Sequence, residues 1–172
     1  MSLSRAGLGA LLEGLAALPD YGEPIDQLAH ALQTAGHAIA AGADDELVLA
    51  SALHDVGRTA EVSTKFPQLA HEHAAAEFLM PTLGKRAVWL IRKHVDAKRY
   101  LVHTEPYAGS LSTRATATLA EQGGAMTAAE AATFIAHPWA EDALALRRWD
   151  DAAKVPHAPV PSIVEIVARY HR

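Results

Sequence analysis

Apolar residues recur at helical spacing along most of this chain, and no convincing two-residue alternation bounded by hairpin turns breaks the pattern. The pattern predicts an all-α protein. A first amphipathic helix is expected over 6–18, stopped by Pro19, with "YGEP" as a loop. The next runs from about Asp26 to Ala41, with Gly42 as its C-terminal stop. Asp44 caps a third, which continues through "LVLASALHDV" to Gly57. "TAEVSTKFPQ" reads as a loop, followed by a helix over roughly 69–80 that Pro81 ends. A further helix covers about 84–94 and either continues or kinks into "VDAKRYL"; "TEPYAGS" is another loop. Ser112 caps a helix ending at "QGG", and "TAAE" at 127–130 is a capping box. Pro138 opens a long helix that Pro156 closes, and Ser162 caps a terminal one. There is no internal repeat and no boundary, so residues 1–172 are expected to form a single domain.

Composition narrows the chemistry. Half the 172 residues are hydrophobic and a fifth are charged, as in a globular protein rather than a disordered chain. No stretch is apolar enough over enough length to span a membrane, a signal peptide has no obvious cleavage site, and a cytoplasmic location is the default. The net charge of −5 gives no support for nucleic-acid binding. The chain has no cysteine, which excludes disulfides, thiolate metal sites and cysteine nucleophiles. It does have ten histidines.

Four of those histidines and two aspartates sit in apolar helical context. They are His30, His54, Asp55, His71, His94 and Asp150, on five separate expected helices. Each would be expensive to bury alone. Together they suit first-row divalent metals. Six ligands exceed what one tetrahedral ion needs. With Asp55 bridging, His30, His54 and Asp150 would serve one metal and His71 and His94 the other, at the ~3.5–4 Å spacing of two-metal sites. His37, His73, His103, His137, His157 and His171 read as surface or supporting residues.

The order H…HD…H…H…D resembles the HD-domain superfamily, all-helical bundles with a metal site between helices. "YGEPIDQLAHALQ", "HEHAAAEFL", "HVDAKRYL", "QGGAMTAAEA" and "LRRWDDAAK" further resemble the mixed-valent diiron oxygenases that cleave organophosphonates, most strongly over 20–155. The resemblance implies an Fe(II)/Fe(III) pair and O₂ as co-substrate. It implies cleavage of the carbon–phosphorus bond of a small 1-hydroxyphosphonate, such as the 2-amino or 2-trimethylammonio ethyl compound, with release of phosphate. On the same footing Lys98 and Arg147 would grip the phosphonate, Tyr21 would cap an iron in the resting state, and Glu23 would receive a cationic end of the substrate. The match breaks at Arg58, where this chain reads "HDVGR" and the family tends to place a substrate-contacting histidine. Arg58 is expected either to strengthen anion binding or to mark a different substrate. The family serine after the "YAGSLS" loop has no clear counterpart here; Thr113 and Thr116 are the two candidates. Two other readings stand beside the oxygenase. One is an HD-type dimetal phosphohydrolase acting on a nucleotide or small phosphate ester without O₂. The other is a degenerate, non-catalytic domain. The oligomeric state is left open.

Overall fold

The computed structural model describes residues 2–171 and is built from helices alone among them. In chain order these are α1 (Arg5–Glu13), α2 (Gln27–Ala40), α3 (Asp45–Leu53), α4 (Ala60–Ser63), α5 (His71–Leu79), α6 (Lys85–Thr104), α7 (Thr113–Glu121), α8 (Ala128–Ile135), α9 (Ala140–Ala152) and α10 (Ile163–Ala168). Short 3₁₀ turns follow α1, α3 and α6. The HD-domain helical bundle expected from the sequence is thus the observed architecture.

Helix starts follow the side-chain chemistry. Ser4, Asp26, Asp44, Ser112, Thr127 and Ser162 each accept a hydrogen bond from a backbone N–H in the first turn of the helix they cap. Thr127 with Glu130, and Ser162 with Glu165, form complete capping boxes. Gly42 adopts φ 73° just beyond α2, and the following Ala43 N–H returns to the Ala38 carbonyl at 3.0 Å.

Some expectations about elements change, and one left open is decided. α3 ends at Leu53 rather than running to Gly57, and past His94 the chain takes the continuing course. The segment 59–68 is not all loop, since α4 occupies its first half. α6 neither stops nor kinks at His94 but runs on for ten residues, because Val95, Ala97 and Leu101 continue its buried face. The long helix after Pro138 begins two residues later, at Ala140.

α3 is buried all round, with every residue from Leu47 to Leu53 shielded from water. Its Ser51 is satisfied by donating to the Leu47 carbonyl at 2.8 Å. α2, α6 and α9 pack around it, α5 lies on α6, and α1 rests on α10. The core is mostly leucine and alanine, and the small alanines let these helices approach closely. α2, α3, α5, α6 and α9 are the five that carry the six candidate metal ligands. Among the described residues no helix is long and apolar enough to cross a membrane.

Candidate metal centre and substrate cavity

His30 lies in the first turn of α2, and His54 is the residue that ends α3. Asp55 follows it in a non-helical conformation, φ −102° and ψ 3°. His71 is the first residue of α5, His94 lies midway along α6, and Asp150 is near the end of α9. Five helices therefore deliver one cluster. His30, His54, Asp55, His94 and Asp150 are buried; His71 is partly exposed.

The imidazoles are held by their far nitrogens. Nδ1 of His30 bonds the Ala153 carbonyl at 2.9 Å, that of His54 the Ser51 carbonyl at 2.8 Å, and that of His94 the Ile91 carbonyl at 2.7 Å. Nδ1 of His71 lies 3.0 Å from the buried Glu72 carboxylate. A carbonyl partner fixes Nδ1 as the donor, which leaves Nε2 with its lone pair. The Nε2 atoms converge. His30 Nε2 is 3.1 Å from Asp150 Oδ1, and His54 Nε2 is 3.9 Å from the same oxygen. His71 Nε2 is 3.0 Å from Asp55 Oδ1 and 3.3 Å from His94 Nε2, which is itself 3.8 Å from that oxygen. Asp55 Oδ2 lies 3.8 Å from His54 Nε2. Asp55 therefore turns one oxygen toward each histidine set.

These residues fit metal. His54 Nε2 is buried with no hydrogen-bond partner among the described residues, an arrangement that is costly unless the lone pair is used. His30, His54 and Asp150 form one group able to hold an ion, and His54, Asp55 and His94 another. Electrostatics agree. Burial pushes the His54 and His94 pKa values down, His94 further because His54 and His71 adjoin it, so both are neutral donors. Burial would raise Asp55 and Asp150. Arg58 and His54 beside the first, and Arg147 and His30 beside the second, instead hold both well below the usual carboxylate range. For His30, burial is outweighed by the Asp150 carboxylate, and its pKa rises.

A cavity opens from the cluster, lined by His30, Asp55, His71, His94 and Asp150 and, on its other walls, by charged and uncharged residues in equal number. Lys98 reaches it from one turn beyond His94 and is 2% exposed. Its ammonium donates to the Ala115 carbonyl at 3.3 Å and to Thr118 Oγ1 at 3.1 Å. Burial, then the neighbouring Arg147 charge, lowers its pKa to about 8. Arg147 also lines the cavity, but its guanidinium is engaged by Asp150 Oδ2 at 2.6 Å and by both oxygens of Asp151. Tyr107 donates to Asp151 from the other side at 2.5 Å. Arg147 thus orients the Asp150 carboxylate.

Arg58 faces the same cavity. Its Nε donates to Asp55 Oδ1 at 3.1 Å, and Nη2 lies 3.0 Å from His71 Nε2. Tyr21, in the left-handed region at φ 58°, meets the cavity through two arginines: Arg114 stacks 3.7 Å from its ring centre and Arg58 approaches to 5.9 Å. Glu23 lines the cavity and is already bonded, to Ser112 at 2.7 Å and to Lys154 at 3.0 Å. Burial would raise its pKa, but these two bonds hold it low.

Sequence reasoning missed several wall residues. Thr113 and Thr116 are both exposed; the α7 threonine at the cavity is Thr118, one turn past Ala115. Arg114, Gln122 and Lys154 also line it, and Glu72 supports His71. A search for Ser or Thr after the "YAGSLS" loop could have reached Thr118, but only the rotation of α7 selects it. His37, His103, His157 and His171 are exposed, and His137 stacks on Trp89 at 3.9 Å, away from the cluster.

No family model matches the chain. It is 40% identical over 152 residues to the hydroxymethylphosphonate dioxygenase of Gimesia maris, covering 84% of this chain and 76% of that protein. It is 35% identical over 165 residues to a 1-hydroxy-2-(trimethylamino)ethylphosphonate dioxygenase (glycine-betaine-forming) of Leisingera caerulea, covering 88% and 84%.

Proposed function

The chain belongs to the organophosphonate dioxygenases, and from that membership we propose that it is a diiron, O₂-dependent oxygenase that cleaves the carbon–phosphorus bond of a small 1-hydroxyphosphonate and releases phosphate. The observation that carries this reading is the position of Asp55. Its two oxygens face two separate histidine sets, and the same cavity holds a buried ammonium, that of Lys98, with no carboxylate at hydrogen-bond distance among the described residues. His30, His54, Asp55 and Asp150 would hold one iron, and Asp55, His71 and His94 the other. The iron pair would supply the redox chemistry with O₂ that no side chain here can provide.

The protein's own residues bind and orient. Lys98 is a point charge anchored by two neutral acceptors, so its remaining proton is free for a phosphonate oxygen. Arg58 and Arg114 add positive charge on the same cavity and draw in an anion. Arg147 would meet the phosphonate only with the part of its guanidinium that Asp150 and Asp151 leave free. The Tyr21 ring packs against Arg114 behind the cavity wall, and Glu23 lines the loop side. The packed helices keep bulk water from most of the cluster, five of whose six side chains are buried. Residues 1–172 would act as one catalytic domain, in the cytoplasm.

The test is phosphate release from Fe(II)-loaded protein given hydroxymethylphosphonate, its 2-amino and 2-trimethylammonio ethyl relatives, and simple phosphate esters, in air and under strict anaerobiosis. Phosphate from a phosphonate in air alone is the expected result. Phosphate from the esters without O₂ would overturn the reading in favour of a dimetal hydrolase.

A further inference from the structure

The named relatives pose a choice that the proposed function does not make. One is named for a phosphonate with no cationic group, the other for one with a quaternary ammonium. A carboxylate free to face a cavity favours a substrate cation, and fixed cations around a carboxylate already neutralised disfavour it.

Among the described residues, the carboxylates on the cavity wall are Glu23, Asp55 and Asp150. The two aspartates belong to the metal cluster. That leaves Glu23, and its charge is already answered. Lys154 Nζ donates to Glu23 Oε1 at 3.0 Å and to Ser112 Oγ at 3.0 Å, while Ser112 donates to the same Glu23 oxygen at 2.7 Å. Ser112 Oγ also accepts the Ala115 N–H at 3.1 Å, as the cap of α7. The hydroxyl is thereby locked in place. The three residues come from the loop before α2, the start of α7 and the segment after α9, and the Glu23 and Lys154 side chains are only 11% and 18% exposed. This is a closed, largely shielded triangle rather than a chance surface pair. Around it stand Arg58, Arg114 and Lys98. A substrate ammonium entering here would meet a neutralised carboxylate and several fixed cations.

We propose that Lys154 is a specificity-determining residue: an internal ammonium, bound to Glu23 through the Ser112 clamp, takes the place of a substrate's cationic end and confines the enzyme to 1-hydroxyphosphonates without one. This rests on the phosphonate oxygenase reading and names the substrate class for that site. Among the described residues the Lys154 ammonium bonds Glu23 and Ser112 and none of the six candidate metal ligands. It acts by fixing the charge of the subsite that the substituent on that carbon must enter. Removing it uncovers the Glu23 carboxylate; replacing it with arginine does not.

The experiment measures binding and turnover separately. Calorimetry under anaerobiosis gives the affinity of the metal-loaded protein for hydroxymethylphosphonate and for 2-amino-1-hydroxyethylphosphonate. The wild type should prefer the first by about tenfold or more. Lys154→Met should reduce that preference by about tenfold, through tighter binding of the amino compound, and Lys154→Arg should retain it. Should Lys154→Met fail to fold, Glu23→Gln takes its place: with the carboxylate gone and Lys154 unanswered, the rejection of the amino compound should deepen. A wild type that binds both compounds equally, or a Lys154→Met protein that weakens both to the same degree, would overturn the proposal. Turnover in air is scored on its own. The binding preference with no phosphate release in air would sink the oxygenase reading while leaving the assignment of Lys154 standing.

Discussion

Gly57 is where a single methyl group should test how the metal cluster is built. It lies in the turn after Asp55, and its Cα faces the start of α5. A Cβ at this position would run into the His71 carbonyl oxygen, stand 2.7 Å from the carbonyl carbon of His71 and 3.0 Å from the Ala75 nitrogen. All three atoms are backbone, so no side chain can swing aside. Carbon contacts settle near ~3.5 Å, so clearing the His71 carbonyl carbon alone takes about 0.8 Å, and clearing its oxygen takes more. Both moving parts carry ligands: Asp55 precedes the turn and His71 opens α5. Metal–ligand bonds tolerate only about 0.2 Å. Gly57→Ala should therefore empty the His71, His94 and Asp55 set while leaving His30, His54 and Asp150 able to hold an ion. Overpacking of this kind costs roughly 1–3 kcal/mol, a fall of about 2–12 °C in Tm for a chain of this size. The assay is iron content per chain after reconstitution and desalting, read beside a melting curve and phosphate release. Iron should fall by about half and activity should collapse. A Gly57→Ala protein with full iron content and full activity would refute the argument that this close approach positions the cluster.

Lys98→Met should raise KM for any phosphonate substrate by about tenfold to a hundredfold with iron content unchanged, because it removes a charged hydrogen bond worth roughly 1.5–3 kcal/mol. The same residue should shape the pH profile. With its pKa near 8, Lys98 carries its charge below that pH and loses it above, so kcat/KM should fall on the alkaline side, and Lys98→Arg should carry that limb upward. Leu12→Ala, fully buried in α1 and remote from the cluster, should cost about 2–5 kcal/mol in denaturant unfolding while iron content stays as in the wild type. A loss of iron in that variant would mean that the cluster depends on the packing of α1.

The buried His/Asp cluster was legible because burying an ionisable residue in an apolar helix is expensive, so each such residue asks for a reason in the sequence itself. His54 and Asp55, which follow the mostly apolar run from Leu47 to Leu53, show this best. Helix starts were legible for a local reason as well, since a capping side chain and the N–H it accepts lie within one turn. What the sequence withheld are contacts between distant segments. Glu23 and Lys154 are 131 positions apart, and nothing near either announces the other. Lys154 reads as a solvated charge at the end of α9 until the loop before α2 folds against it. Thr118 was hidden by phase. Thr118 lies one turn past Ala115, the buried position of α7, and the packing of that face selects it over Thr113 and Thr116.

The anchoring of the imidazoles carries a last consequence. His54 and His94 each bond the carbonyl three residues earlier in their own chain segment. Their orientation is thus set within one turn of helix, and it does not wait for an ion. Little ring rotation is left to freeze when metal enters, so the entropic cost of capture is low. The rings cannot turn to suit an ion of another size, and discrimination between metals falls to donor chemistry and to what the cell supplies. A chain built this way should give up and regain its ions without unfolding, as a rigid host rather than one that folds around its guest.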